Sequence, residues 1–165
     1  MATNNLSAYN KEHLPDARTM RIGIVVSEWN DRITSGLLKG CIDALTDCGV
    51  HQKNIFVAHV PGSFELPLGA QMLFENYSIE AVICLGCVIR GETAHFDFVC
   101  QACASGIQSL SMKIGKPVIF GVLTDDNEEQ SVARSGGNKG NKGTEAAITA
   151  IKMIGLQREL ENNNW

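Results

Sequence analysis

No apolar run in this chain approaches the roughly 20 residues that a bilayer-spanning helix needs, so a membrane partner is not expected. Positive charge is also short: 14 Lys and Arg face 18 Asp and Glu, a net charge of -4. No basic stripe interleaved with aromatics stands out, which argues against nucleic acid. Aromatics make up 6% of the chain, and there are 4 prolines. There is no internal repeat and no linker that would divide domains. The opening Met1-Ala2-Thr3-Asn4-Asn5 lacks a basic region followed by an apolar core. The expectation is therefore a chain without a secretory leader, working in the cytoplasm.

What remains is the composition of one folded domain. The chain has 165 residues, 44% hydrophobic and 19% charged, enough to enclose a core of its own. Its 6 cysteines invite a metal reading, because Cys84-x-x-Cys87 and Cys100-x-x-Cys103 have the spacing of paired zinc ligands. Cys84 falls in a strand pattern, however, and strand positions three apart tend to opposite faces. Cys100 and Cys103 share a helix face, but within an apolar stripe. Buried, reduced thiols acting as small hydrophobes, and no metal, are the expectation.

Hydrophobic periodicity orders the chain. Strands are predicted over 21–26, 54–60, 81–86 and 117–123, the third being continuously apolar, as in a strand covered on both faces. Helices are predicted over 32–48, from Ser63-Phe64-Glu65 to near Asn76, and over 96–114, with Gly49 and Gly115 as terminators. Two more are predicted over 127–135 and 144–160, separated by the glycine-rich 136–143. Alternation of strand and helix implies parallel strands with right-handed crossovers, hence an α/β fold, a three-layer α/β/α sandwich on a four-stranded parallel, flavodoxin-like sheet. Residues 1–20, carrying Asn4, Asn5, Asn10 and Pro15, read as an extended arm that orders only by lying on something. Residues 21–160 form the domain and 161–165 a tail.

Open parallel sheets bind ligands beyond the carboxyl ends of their strands, and those ends are well equipped here. After the first strand comes Trp29, a flat ring on which a heteroaromatic can stack, with Asn30 beside it to pair with ring polar groups. After the second come Ser63, Phe64 and Glu65. The hydroxyl and carboxylate suit a polyol or simply cap the helix, and Phe64 reads as packing. After the third, Gly91 permits a turn that a Cβ would hinder, and Glu92 and Thr93 precede a helix start at His95. Unpaired amides and the positive end of the helix dipole make that turn a seat for an anion such as phosphate, with His95 in reach. On the plainer reading, Thr93 is only a cap and His95 a surface residue. Arg134 with Lys139 and Lys142 forms the one dense basic segment, either a phosphate site or a solvated loop. It is no Walker A loop, for it lacks the Gly-Lys-Ser/Thr order and follows a helix. His13, His51 and His59 have no ligand spacing to other donors.

Several blocks together resemble the lumazine synthase family: Val60-Pro-Gly-Ser-Phe-Glu-Leu66, Gly86-Cys-Val-Ile-Arg-Gly-Glu-Thr-Ala-His-Phe-Asp97, and Gly140-Asn-Lys-Gly143 downstream of Pro117-Val-Ile-Phe-Gly-Val-Leu123. The resemblance extends over about residues 21–156. It implies an enzyme that joins 5-amino-6-(D-ribitylamino)uracil to 3,4-dihydroxy-2-butanone 4-phosphate, without metal or organic cofactor, releasing phosphate and water. On that resemblance, Trp29 and Asn30 face the pyrimidine. The segment Ser63, Phe64 and Glu65 takes the ribityl chain, and the backbone of Cys87, Val88 and Ile89 contacts the same substrate. Glu92 and Thr93 form the phosphate turn, joined by Arg134 and Lys142, His95 is the proton donor, and Phe120 comes from a neighbouring copy. Cys87 departs from the family's Thr or Ala. The resemblance also implies homopentamers, alone or as twelve in a sixty-subunit icosahedral shell able to enclose riboflavin synthase. The uninterrupted 136–143 segment points to the shell and Pro15 against it.

Two rivals stand beside this. A flavodoxin-like FMN carrier would place a Ser-, Thr- and Gly-rich phosphate loop after the first strand, where Ser27-Glu28-Trp29-Asn30-Asp31-Arg32 is acidic and bulky. A cage protein with a vestigial site would not need every proposed catalytic position suitably filled.

Overall fold

The computed structural model describes residues 7–162. Residues 1–6, with Asn4 and Asn5 of the expected arm, and 163–165 of the expected tail lie outside the described residues. In chain order the main elements are β1 (Ile22–Ser27), α1 (Asp31–Asp47), β2 (Ile55–Val60), α2 (Leu66–Asn76), β3 (Ala81–Ile89) and α3 (His95–Ile114). There follow β4 (Val118–Asp125), α4 (Glu128–Arg134), β5 (Ser135–Gly137), β6 (Gly140–Asn141) and α5 (Lys142–Asn162).

The four long strands form one parallel sheet in the order β2-β1-β3-β4, as the alternation of elements predicts. Successive strand residues feed opposite layers. Ile22, Ile24, Ile83, Leu85 and Cys87 join Leu37, Cys41 and Leu45 of α1 and Ala147, Ile151 and Ile154 of α5. Val25, Val82, Cys84 and Val122 join Leu66 and Leu73 of α2 and Cys103, Ile107 and Leu110 of α3. Each face of the sheet thus carries two helices, which makes three layers. β1 is buried at every position, whereas the edge strand β2 alternates between half-buried and exposed.

Cys84 and Cys87 sit in opposite core layers. Burial raises the thiol pKa of Cys41 and of Cys103 to about 12 and pushes Cys84 up as well, so these thiols stay protonated at neutral pH.

Three boundaries differ from expectation. β3 runs on through Ile89 instead of stopping at Gly86, because β4 offers partners up to Asp125, with Ile89 opposite Asp125. Cys87, Val88 and Ile89 are therefore strand residues. The 136–143 segment is not a loop: β5 and β6 form a small antiparallel hairpin, and α5 begins at Lys142 rather than Thr144. Gly91 does not serve as expected either. A Cβ there would meet nothing within 4 Å, and its φ is not in the left-handed range. By contrast Gly49, at φ 94, closes α1, with the Val50 amide donating to the Leu45 carbonyl.

The segment before β1 lies across α1 and α5. Ser7 Oγ donates to Glu145 at 3.2 Å, Tyr9 Oη donates to Asp47 at 2.8 Å, and the Pro15 ring packs on Gly155. Ala17 and Met20 are fully buried.

Candidate active site

The loop after β1 extends the sheet's hydrogen bonding by two residues: the Glu28 amide donates to the Val60 carbonyl and the Trp29 amide to the Pro61 carbonyl. Asn30 then adopts a left-handed conformation (φ 60, ψ 42), the single positive-φ residue other than glycine among the described residues. Asn tolerates this region better than most side chains. Its carbonyl accepts from the Ile33 and Thr34 amides at the start of α1, and its Nδ2 donates to the Cys87 carbonyl at 2.9 Å. One carboxamide therefore ties the β1 loop to β3. One N–H of the carboxamide is engaged in the protein, which leaves its second N–H and Oδ1 to meet a ligand.

Trp29 is left 67% exposed, yet its position is fixed from below. Its ring lies so close to Gly62 that an added Cβ there would come within 2.7 Å. Phe64 is 59% exposed, so it is a surface aromatic at the site and not the packing residue its sequence suggests. Glu65 Oε2 accepts from the Gly62 amide at 3.0 Å, the capping role anticipated for it. Ser63 is 4% exposed and its Oγ has no hydrogen-bond partner. A buried hydroxyl in that state is costly unless something bonds to it; this Oγ is packed toward Gly86, while the residue itself forms part of the wall of a cavity.

That cavity, of about 530 Å³, is lined by Trp29, Asn30, Ser63, Phe64, Glu65, Cys87, Val88, Ile89, His95 and Val99. Val99 is absent from the sequence reading. It stands one helical turn beyond His95, and the i, i+4 relation is the signal that would have found it. Glu92 and Thr93 lie on the exposed turn between β3 and α3. Thr93 Oγ1 accepts from the His95 amide at 3.4 Å, so the hydroxyl faces the first turn of α3.

The remaining candidates lie elsewhere. Phe120, Arg134 and Lys142 border a second cavity, of about 550 Å³, running along β4 to the start of α5. The four strand ends do not converge on one pocket within a single copy. β4 is the outer strand of the sheet, and its end opens onto α4 and α5 instead of the Trp29 side. Arg134 Nη1 donates to the Gln130 carbonyl at 2.9 Å and lies 3.8 Å from Asp125 Oδ1. Asp125 is nearly buried and accepts from Ser131 Oγ at 2.8 Å, and Ser131 in turn accepts from Cys87 Sγ at 3.4 Å. The Cys87 side chain is thus directed to this network, and its thiol pKa is raised, chiefly by burial. Lys142 Nζ pairs with Glu145 at 2.6 Å, which neutralises much of its charge. Arg134 is the less compensated cation of the two.

Comparison with known proteins identifies the family. A family model described as 6,7-dimethyl-8-ribityllumazine synthase matches residues 19–158. A 6,7-dimethyl-8-ribityllumazine synthase of Flavobacterium psychrophilum is 54% identical over 158 residues, covering 96% of this chain and 84% of the relative. The enzyme of that name from Cytophaga hutchinsonii is 54% identical over 93% of this chain and 96% of its own. That from Porphyromonas gingivalis is 52% identical over 95% and 98%. A parallel sheet with an aromatic, an unpaired hydroxyl and a histidine at its carboxyl edge, matched over nearly its whole length, makes this chain a member of the 6,7-dimethyl-8-ribityllumazine synthase family.

Proposed function

We propose that the chain condenses 5-amino-6-(D-ribitylamino)uracil with 3,4-dihydroxy-2-butanone 4-phosphate to give 6,7-dimethyl-8-ribityllumazine, phosphate and water, the penultimate step of riboflavin biosynthesis. The observation that carries this reading is the first cavity, where Trp29, Asn30, Ser63 and His95 line one space. Trp29 and Asn30 hold the pyrimidine, the indole by stacking and the carboxamide by hydrogen bonding. Ser63, Phe64 and Glu65 take the ribityl chain, with the backbone of Cys87, Val88 and Ile89 along its length.

The chemistry calls for proton transfer and charge neutralisation. An amine attacks a ketone and a first water departs, phosphate is eliminated, and the second amino group attacks the remaining carbonyl and closes the ring with loss of a second water. His95 serves as acid and base, a role typically worth about 10²–10⁴ in rate. The turn carrying Glu92 and Thr93 receives the phosphate at the amino end of α3, where backbone amides and the helix dipole favour an anion. Arg134 grips the leaving phosphate, with Lys142 beside it. Bringing two substrates into one orientation supplies much of the remaining acceleration. No cofactor or metal takes part.

Phe120, Arg134 and Lys142 reach the cavity of an adjacent copy in a cytoplasmic homopentamer. This is supported by their separation from His95 within one chain and by the exposed apolar side chains Trp29, Phe64, Phe98 and Met112. Assembly of twelve pentamers into a shell able to enclose riboflavin synthase extends the same reading. The catalytic domain is 21–160, with the segment up to residue 20 as an arm; residues 161 and 162 of the expected tail continue α5.

Mixing the two substrates with the purified chain and following lumazine absorbance tests the activity. No absorbance above the uncatalysed rate overturns it. Sedimentation velocity separates pentamer from shell, and a monomer that retains full turnover overturns the shared site.

A further inference from the structure

The turn over residues 91–94 is exposed along its length, and its side chains make one hydrogen bond, from the His95 amide to Thr93 Oγ1. A segment packed this loosely does not by itself hold an anion and an imidazole at a fixed separation. Both of its ends, however, are held by one neighbouring side chain. Arg90 Nε donates to Asp126 Oδ1 at 3.0 Å, where β4 passes into α4. Arg90 Nη1 donates to Asp97 Oδ1 at 3.2 Å in the first turn of α3. The guanidinium carbon lies 4.1 Å from the centre of the buried Phe96 ring, and the Arg90 amide donates to the Asp125 carbonyl at 3.0 Å. Each ion pair is exposed and worth little alone. A planar fork that meets two carboxylates while stacked on a fixed ring is a directional restraint of another kind.

We infer that Arg90 is a positioning residue: it closes the 91–94 turn from outside and so sets the spacing between the anion-binding amides and His95 without touching substrate. The inference rests on the reading of that turn as the phosphate site. Arg90 is a poor direct phosphate ligand, since two carboxylates already take its charge and one face is covered by Phe96.

The test uses the full-length assembled protein with Arg90→Met, Arg90→Lys and Asp126→Asn. Arg90→Met is expected to raise KM for the butanone phosphate about tenfold while KM for the aminouracil changes by less than about twofold. Lys cannot span both carboxylates and stack, so Arg90→Lys is expected to recover little. If Arg90 instead bound phosphate directly, Lys would restore most of the affinity. Asp126→Asn gives a reading of opposite sign. Losing a negative charge near an anion lowers KM by simple electrostatics, whereas loosening the turn raises it, and a rise of about threefold is expected. Amide hydrogen exchange at Asp97 and Phe98, whose amides donate to the Ala94 carbonyl of the turn, is expected to quicken in Arg90→Met and stay native elsewhere. An unchanged KM for the phosphate ester, a lowered KM in Asp126→Asn, or recovery in Arg90→Lys overturns the inference. If the wild type fails to join the substrates, the proposed function falls. The exchange measurement then still decides whether Arg90 orders the turn, and unchanged exchange overturns the inference.

Discussion

The turn over 91–94 and the segment over 136–143 both carry glycine, both stand near a helix start, and both read in sequence as phosphate-handling loops. They are built in opposite ways. Gly91 faces open space, and its turn is restrained from outside by Arg90. Gly143 is buried in α5, and a Cβ there would collide with the Leu37 carbonyl of α1. Asn141 beside it donates to the Gly36 carbonyl at 2.9 Å and accepts from the Gly143 amide at 2.8 Å. In the second segment Gly143 serves close packing of α5 on α1, while Gly136 (φ 119) and Gly140 (φ 82) shape the hairpin. A glycine-rich stretch therefore says that something approaches or that something turns, and only its neighbours tell which.

Gly143→Ala tests this contrast most severely. Forcing a methyl onto backbone is expected to cost about 4 kcal/mol or more, seen as loss of folded protein or a steep fall in urea midpoint. A near-normal midpoint would mean α5 can shift off α1. His95→Ala follows, with kcat expected to fall about 10²-fold or more and KM for both substrates little changed in steady-state assays. Arg134→Ala is expected to raise KM for the butanone phosphate about tenfold with the aminouracil KM intact. If the two variants gave the same kinetic signature, the division of roles between the cavities would be wrong. At the turn, Gly91→Ala is expected to change stability by no more than about 0.5 kcal/mol and to leave turnover alone.

The smallest effect concerns Tyr9. Burial and the hydrogen bond to Asp47 raise its pKa from 10.0 to about 12. The folded value lies above the unfolded one, so this contact contributes fully below pH 10 and is lost as pH rises through about 12. Spectrophotometric titration of wild type against Tyr9→Phe should place the missing phenol near pH 12. A phenol titrating near its ordinary value would detach Tyr9 from Asp47.

The sheet and its helices were legible because the apolar runs alternate with helical periodicity. Trp29, Asn30, Ser63, Phe64 and Glu65 of the first cavity were legible because each follows a strand end, whereas Val99 stands within α3. The extra length of β3 was not, since it depends on partners in β4 some 36 positions away, as in the pairing of Ile89 with Asp125. The hairpin was hidden in a glycine-rich stretch because its Ser135 and Asn141 pack on Gly36 and Gly40 of α1, about 100 positions away. The separation of Phe120, Arg134 and Lys142 from His95 follows from strand order, which local sequence does not encode. Arg90 sat unremarked inside the most informative block, because nothing local marks an arginine whose carboxylate partners are seven and 36 positions distant.

Asn30 has one more consequence. Its left-handed backbone and its bond to Cys87 fix the entry of α1 and the level of the Trp29 ring before any ligand arrives. The entropy of ordering that aromatic platform is thus settled during folding, and an incoming heterocycle meets a surface already preorganised for it.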